Sequence, residues 1–348
     1  MKHLTHALRR TGDAVAVMQA IVSETYGSPD ALELRDIARP TVDADELLVS
    51  VRVAGINPFD WHYLRGMPYL VRLVNGLRRP RRMTVLGSDM AGVVEAVGEN
   101  VSEFQPGDEV YAEVGTGACA QYVTIPADQV GRKPAGLTFE EAAAVPMAAG
   151  TALQGVQSKG KTASGDRVLI NGASGGVGTF SVQIAKALGA EVTGVCSAVN
   201  ADMVRSIGAD HVVDYGSEDF TRGGERYDVI LDTVGNRSLS ACRRVLAPDG
   251  FYGATGGGGG RWLGPLMPQL KAVLLSPFVG QTLAAVNDKP NEGLELLNEL
   301  IDRGQITPVI DRTYPLHEAP DAMHYLEEGH APGKGRHHDL TAPVSFQR

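Results

Sequence analysis

Gly172, Gly175 and Gly178 recur at every third position of the run Gly-Ala-Ser-Gly-Gly-Val-Gly over 172–178. Without Cβ atoms a backbone approaches a pyrophosphate closely. The first N–H groups of a following helix, together with its dipole, then hold the negative charge. Ser174, Gly175, Gly176, Val177 and Gly178 are therefore the expected contacts of a dinucleotide phosphate. Glycines at this spacing carry that meaning only between a strand and a helix. The sequence supplies both. Val-Leu-Ile at 168–170 suits one buried parallel strand. Val177, Phe180, Val182, Ile184, Ala185 and Leu188 follow at helical spacing, and Gly189 stands where a C-cap belongs. A second apolar run at 191–195 completes a strand–helix–strand unit.

The elements around this unit continue the alternation. Strands are predicted at 211–213, 228–232 and 251–254, with helices at 201–207 and 238–246 between them. That order predicts a doubly wound parallel sheet with its ligand at the carboxyl ends of the strands. The chain before it is different in texture: short half-buried strands at 19–22, 47–53, 92–98 and 108–112, separated by turns such as Pro106-Gly107. The fold class is α/β. The expected divisions are a flexible extension at 1–17, a β-rich catalytic domain at 18–138, the cofactor domain at 139–283 and a return to the catalytic domain at 284–348.

Composition narrows the function. A formal net charge of −9 argues against nucleic acid as a partner. Cys119, Cys196 and Cys242 match no metal or disulfide spacing, which fits a reducing cytoplasm. The most apolar late stretch, 263–286, is interrupted by Pro265, Pro268, Lys271 and Pro277, so no integral membrane span is expected. Residues 67–82 hold five arginines and no acid among apolar side chains. They read either as a solvated edge loop or as a lid that touches an apolar substrate, a membrane or an anionic acceptor.

Several longer motifs add a resemblance. Gly55-Ile56-Asn57-Pro58-Phe59-Asp60-Trp61, the run 86–94 from Leu-Gly-Ser-Asp to Gly-Val-Val, the glycine turn, the run 207–215 and Asp232-Thr233-Val234-Gly235 occur in order over about 18–334. In these the chain resembles a medium-chain dehydrogenase/reductase of the zinc-free, quinone oxidoreductase-like branch. The resemblance implies a GroES-like catalytic domain wrapped by both termini around an inserted Rossmann domain. It also implies that Asn57 and Thr151 lie at the nicotinamide end of the cofactor and that Val234 contacts it. Relatives end in a β-branched strand after a Gly-Lys pair; the residues after Gly333-Lys334 lack that pattern, so an atypical, flexible tail is expected, and a missing last strand would expose a sheet edge.

Zinc-dependent relatives place cysteine where this chain has Asn57 and Gly-His-Glu where it has Gly87-Ser88-Asp89, and no cysteine lies near 145–147. An open catalytic zinc needs three protein ligands, so no metal is expected. The segment after the second strand, Cys196-Ser197-Ala198-Val199-Asn200, has no acid for a ribose 2′-hydroxyl. Ser197, Arg205 and Tyr215 instead suit a 2′-phosphate, which favours NADP(H). A zinc-free site must meet the charge on a reduced carbonyl with hydrogen-bond donors. His62, five residues beyond Asn57, is the candidate proton relay and equally reads as a structural histidine; Tyr63 is a further catalytic candidate. Asp60 is expected to orient its neighbours or cap a helix. The expected function is hydride transfer from NADPH to a quinone or other conjugated carbonyl, by a cytoplasmic homodimer. The alternatives are an NADP-binding protein with little turnover and an alcohol or aldehyde oxidoreductase.

Overall fold

The structure, a computed structural model, describes residues 16–81, 83–256, 266–287, 289–330 and 342–345. The first part of the chain builds two antiparallel sheets. Its strands are β1 (Val17–Ser23), β2 (Glu33–Ala38), β3 (Glu46–Ile56), β4 (Thr84–Val85), β5 (Asp89–Val97), β6 (Glu109–Glu113), β7 (Tyr122–Pro126) and β8 (Gly131–Arg132). Between β3 and β4 lie the helix α1 (Pro58–Arg65) and the single turn α2 (Arg72–Asn75). Strands β2, β1 and β4 form a small sheet, whereas β3, β5, β6 and β8 run in order through a larger one. Buried Leu47, Val49, Val51, Met90, Val94 and Val110 face one another within the latter, the alternation expected of half-buried strands.

Two short helices, α3 (Phe139–Ala143) and α4 (Pro146–Leu153), lead into the parallel sheet. It is built from β9 (Arg167–Asn171), α5 (Gly176–Ala187), β10 (Glu191–Cys196), α6 (Ala201–Ser206), β11 (His211–Asp214), β12 (Tyr227–Asp232), α7 (Leu239–Arg244), β13 (Leu246–Ala254), α8 (Leu266–Leu275) and β14 (Thr282–Ala285). The strand order is β11-β10-β9-β12-β13-β14, all parallel. The direction of winding reverses at β9, which opens a crevice at the carboxyl ends of β9, β10 and β12. Val168, Leu169 and Ile170 of β9 and Val192 and Val195 of β10 are buried on both faces, as helices on each side require.

The chain then returns through α9 (Leu294–Asp302), β15 (Tyr314–Pro315), α10 (Ala319–His330) and β16 (Ala342–Ser345). The last of these is an ordered strand within the tail expected to be flexible. Ala342–Ser345 pairs antiparallel with residues 53–56 of β3 and parallel with β15, so it extends the larger sheet. The first half of the same β3 edge is covered by β7. An Ala-Pro-Val-Ser strand lacks any alternating pattern, and the open half of β3 recruits it. The expected extension at 1–17 falls almost wholly outside the described residues, as do 331–341 and 346–348 of the tail.

One core joins the two parts. Val53, Ala91 and Tyr111 of the antiparallel sheet pack in the same cluster as α3, α4, α5 and the parallel sheet. Two amides clasp the returning chain. Asn291 accepts from the Glu113 backbone N–H at 2.7 Å and donates to its carbonyl at 2.8 Å. Gln183 does the same to Thr307, at 2.8 and 3.0 Å.

Candidate functional site

The glycine turn has the geometry its spacing predicts. Gly172 follows β9 directly at φ +91°, and a Cβ there would overlap the Thr233 hydroxyl. A Cβ at Gly178 would overlap the Gly172 carbonyl oxygen, so only glycine lets α5 start this close to the strand. Gly175 is the N-cap of α5, which leaves the amides of Gly176, Val177 and Gly178 as the outward first-turn donors. The crevice above them is lined by Asn171, Gly172, Ser174, Val195, Cys196, Tyr215, Val234 and Asn236. These residues fit a dinucleotide: a side-chain-free approach, an N-terminal helix dipole and polar walls.

Two of those walls, Asn171 and Asn236, carry no signal in the sequence, and the role of Asp232 behind them was not read from it. Buried Asp232, at the end of β12, accepts from Asn171 at 2.8 Å, from the backbone N–H of Gly235 at 2.8 Å and from the Tyr252 hydroxyl at 2.8 Å. Asn171 also donates to Asn236 at 3.0 Å. Asp232 thereby fixes the turn carrying Val234. The only sequence signal was the Asp-Thr-Val-Gly run. Its partner Asn171 is 61 residues away and meets it through the β9–β12 register.

The residues proposed for the adenosine end are only partly assembled. Tyr215 lines the crevice. Ser197 follows β10 directly as the N-cap of a short turn. Arg205, on α6, pairs with Asp202 at 3.0 Å, both side chains being exposed. Asp214 lies beside Cys196 in register, and its carboxylate accepts from the Gly216 N–H and the Ser217 hydroxyl.

Asn57, which the resemblance assigns to the nicotinamide end, is the buried N-cap of α1 and the centre of a hydrogen-bonded network. Its amide nitrogen donates to Ser88 Oγ and to Asp89 Oδ2, both at 2.9 Å. Asp60, also buried, accepts from the Asn57 backbone N–H at 2.8 Å, from the Ser88 hydroxyl at 2.8 Å and from the Gly87 N–H at 3.2 Å. Asp60 thus caps the helix that carries it. Burial pushes its carboxyl up to about 7, against the lowering effect of those three bonds. Burial likewise raises the nearby Cys119 thiol, and the Asp60 charge adds to it.

Asp89 Oδ2 also takes the Met147 N–H in the first turn of α4, at 3.3 Å. A carboxylate at a helix N-terminus is favoured by the dipole. Thr151 lies four residues beyond Met147, on the same face of α4, and is buried. The network therefore links Asn57 to the helix carrying Thr151. His62 lies about 140° around α1 from Asn57 at 100° per residue. It is half-buried, and its ring meets Trp61 edge-on with centroids 4.3 Å apart. Tyr63 shares the side of Asp60, and both line a small apolar cavity with Leu64, Pro80, Thr84 and Leu86.

With that geometry in view, comparisons with known proteins decide the family. Residues 43–135 match the alcohol dehydrogenase GroES-like domain, and residues 207–335 match a family described as zinc-binding dehydrogenase. The mouse mitochondrial NAD(P)H oxidoreductase RTN4IP1 is 34% identical over 91% of this chain and 88% of its own length. The 2-methylene-furan-3-one reductase of Solanum lycopersicum is 31% identical over 91% of this chain and 78% of its own. The solved quinone oxidoreductase from Coxiella burnetii superposes with a TM-score of 0.82 at 26% identity, covering 95% of this chain and all of the other. The chain belongs to the medium-chain dehydrogenase/reductase superfamily, in its quinone oxidoreductase-like branch. It is an oxidoreductase drawing on a nicotinamide cofactor.

The zinc implied by one family description does not fit these residues. The Asn57 amide and Ser88 hydroxyl are bonded to each other and to carboxylates, and neither is a thiolate or imidazole. Among the described residues, no helix is long and apolar enough to cross a membrane.

Proposed function

We propose that this chain is an NADPH-dependent, zinc-independent reductase of quinones and other conjugated carbonyls, enones and enals included. The observation that carries the reading is the hydrogen-bonded network of Asn57, Ser88, Asp60 and Asp89. Side chains bonded to one another hold a rigid polar floor and offer no cation site. Reduced nicotinamide, when bound, supplies the hydride. The charge left on the acceptor oxygen then has to meet hydrogen-bond donors of the protein.

In this proposal Asn57 and Thr151 orient the nicotinamide end, and Ser174, Gly175, Gly176, Val177, Gly178 and Val234 hold the pyrophosphate and its surroundings. His62 passes a proton from its ring to the acceptor oxygen, because histidine both donates and recharges near neutrality. Tyr63 is the further donor. Ser197, Arg205 and Tyr215 take the 2′-phosphate; the exposed Asp202 pair costs little to break, so Arg205 is free to turn. The tomato relative is named for an alkene conjugated to a ketone, and the Coxiella structure for a quinone, which supports the acceptor class. A homodimer belongs to the same proposal. β14 is an edge of its sheet, and exposed Val273, Leu274 and Phe278 stand close to it in sequence. Three buried, unpaired cysteines suit the cytoplasm, although the name of the mouse relative points to an organelle.

The test is NADPH oxidation over a panel of quinones, enones and simple aldehydes, before and after prolonged chelation, with calorimetric titration of NADPH and NADH. Steady turnover of quinones or enones, unchanged by chelation, and tighter NADPH are expected. Cofactor binding without turnover would leave a binding protein. Zinc lost together with activity would refute the metal-free site.

A further inference from the structure

Residues 61–88 carry six arginines and no Asp or Glu, in a chain whose formal net charge is −9. Within it, residues 66–81 form a turn-rich segment with a fixed base. Arg72 is its strut. Its guanidinium lies 4.5 Å from the ring centres of Tyr26 and Tyr69 and donates to the carbonyls of Gly66 and Arg65 at 2.9 and 2.8 Å. The chain then doubles back: the Gly76 N–H bonds the Arg72 carbonyl at 2.8 Å, and the Arg81 N–H bonds the Asn75 carbonyl at 2.9 Å. Gly76 adopts φ +120°, and a Cβ there would overlap the Arg79 carbonyl oxygen, so the closure needs glycine. Leu77, Arg78 and Arg79 lie within the turn these bonds close.

What this element presents is apolar and cationic together. Leu70, in the turn before α2, Leu73, on α2, and Leu77, just past Gly76, are 49%, 60% and 67% exposed. Arg78, Arg79 and Arg81 are exposed beside them. Among the described residues no carboxylate forms an ion pair with Arg78 or Arg79. Leucines left in water without a protein partner call for an apolar cover. Arginines with no ion-pair partner among the described residues call for anions around that cover. A bilayer surface with anionic headgroups supplies both at once, whereas a soluble anion leaves the leucines wet. Pro80, at the base of the same loop, lines the cavity that Tyr63 and Asp60 share.

We propose that residues 69–81 seat this protein on an anionic bilayer surface, with Leu70, Leu73 and Leu77 in the interfacial layer and Arg78, Arg79 and Arg81 on lipid phosphates. The contact brings the element that borders the Tyr63 cavity to the phase in which apolar quinones dissolve. Only this last step rests on the acceptor class proposed above.

The test is sedimentation of the purified full chain with phosphatidylcholine vesicles, with and without 30 mol% phosphatidylglycerol (roughly the anionic content at which surface basic segments bind). Binding to the anionic vesicles is expected at low salt, at least about tenfold tighter than to the neutral ones, and falling as salt rises. Arg78→Gln/Arg79→Gln and Leu73→Ser/Leu77→Ser, all at exposed positions, are each expected to lower the partition coefficient at least about tenfold. Both variants keep wild-type turnover of a water-soluble quinone. Equal binding to both vesicle types, no binding at low salt, or unchanged binding by both variants overturns the proposal. Vesicle binding without quinone turnover would sink the acceptor reading alone; turnover without vesicle binding would sink this inference alone.

Discussion

At the scale of single residues, two side chains on α1 have opposed tasks. His62 is proposed to move a proton. General acid help of this kind is typically worth about 10²–10⁴ in rate. His62→Ala is therefore expected to lower turnover at least about tenfold while NADPH affinity, measured by calorimetry, stays near wild type. Wild-type turnover of the variant from about pH 6 to 9, the span around an ordinary histidine, would assign His62 to packing against Trp61. Asp60 holds structure. Its carboxyl, ordinarily at 3.8, is pushed up to about 7 by burial. The folded state then holds a proton that the unfolded chain has lost. The associated stability is full below the unfolded value and is lost as pH rises through about 7. Asp60→Asn puts an amide against the Ser88, Gly87 and Asn57 donors, with an expected cost of about 1–3 kcal/mol. It also removes the titration. In urea unfolding, the gap between wild type and variant is expected to narrow from pH 5 to 7.5. A constant gap would mean that Asp60 is ionised throughout that window.

Elements show what a sequence carries locally and what it leaves to the fold. The glycine turn was legible because strand, turn and helix lie within 25 contiguous residues, from 166 to 190. Every relevant spacing there is local. Gly178 illustrates how tightly that local pattern is bound to shape. Gly178→Ala puts a methyl against the Gly172 carbonyl and forces α5 off the strand. A forced shift of this kind costs about 1–3 kcal/mol, so cofactor affinity is expected to fall about tenfold or more in calorimetry. Affinity equal to wild type would mean that the first-turn amides do not hold the phosphate. The carboxylates were harder to place. The cap that Asp60 makes on Asn57 is local and follows from spacing, but its bond to Ser88, like that of Asp232 to Asn171, forms only when the partner arrives from elsewhere in the fold. Sequence spacing is silent on those two bonds. The terminal strand is the clearest case. Residues 342–345 have no strand pattern of their own, and β3 supplies the order.

For the whole molecule, the question is what makes two sheets with different architectures behave as one body. Apolar burial answers part of it, since Tyr111 and Val53 share a cluster with the alanines of α4 and the strands of the parallel sheet. The polar clasps answer the rest. The Tyr111 hydroxyl donates to Asn298 on α9 at 2.7 Å, and Asn298 donates to the Arg132 carbonyl at 3.1 Å. Asn291, just before α9, sits at φ +61° so that its amide can meet both backbone groups of Glu113. Asparagine tolerates that conformation better than other side chains do. Two substitutions separate the bonding from the backbone preference. Asn291→Gly keeps the conformation and loses two hydrogen bonds of about 0.5–1.5 kcal/mol each, so a loss of about 1–3 kcal/mol is expected. Asn291→Ala loses the same bonds and adds about 1–2 kcal/mol for a Cβ in the left-handed region. Urea unfolding is expected to rank wild type above the glycine variant and the glycine variant above the alanine one. All three should unfold in one transition, because the shared core outlasts either clasp. Two separated transitions in the alanine variant would show that the clasp, and not the core, couples the two sheets.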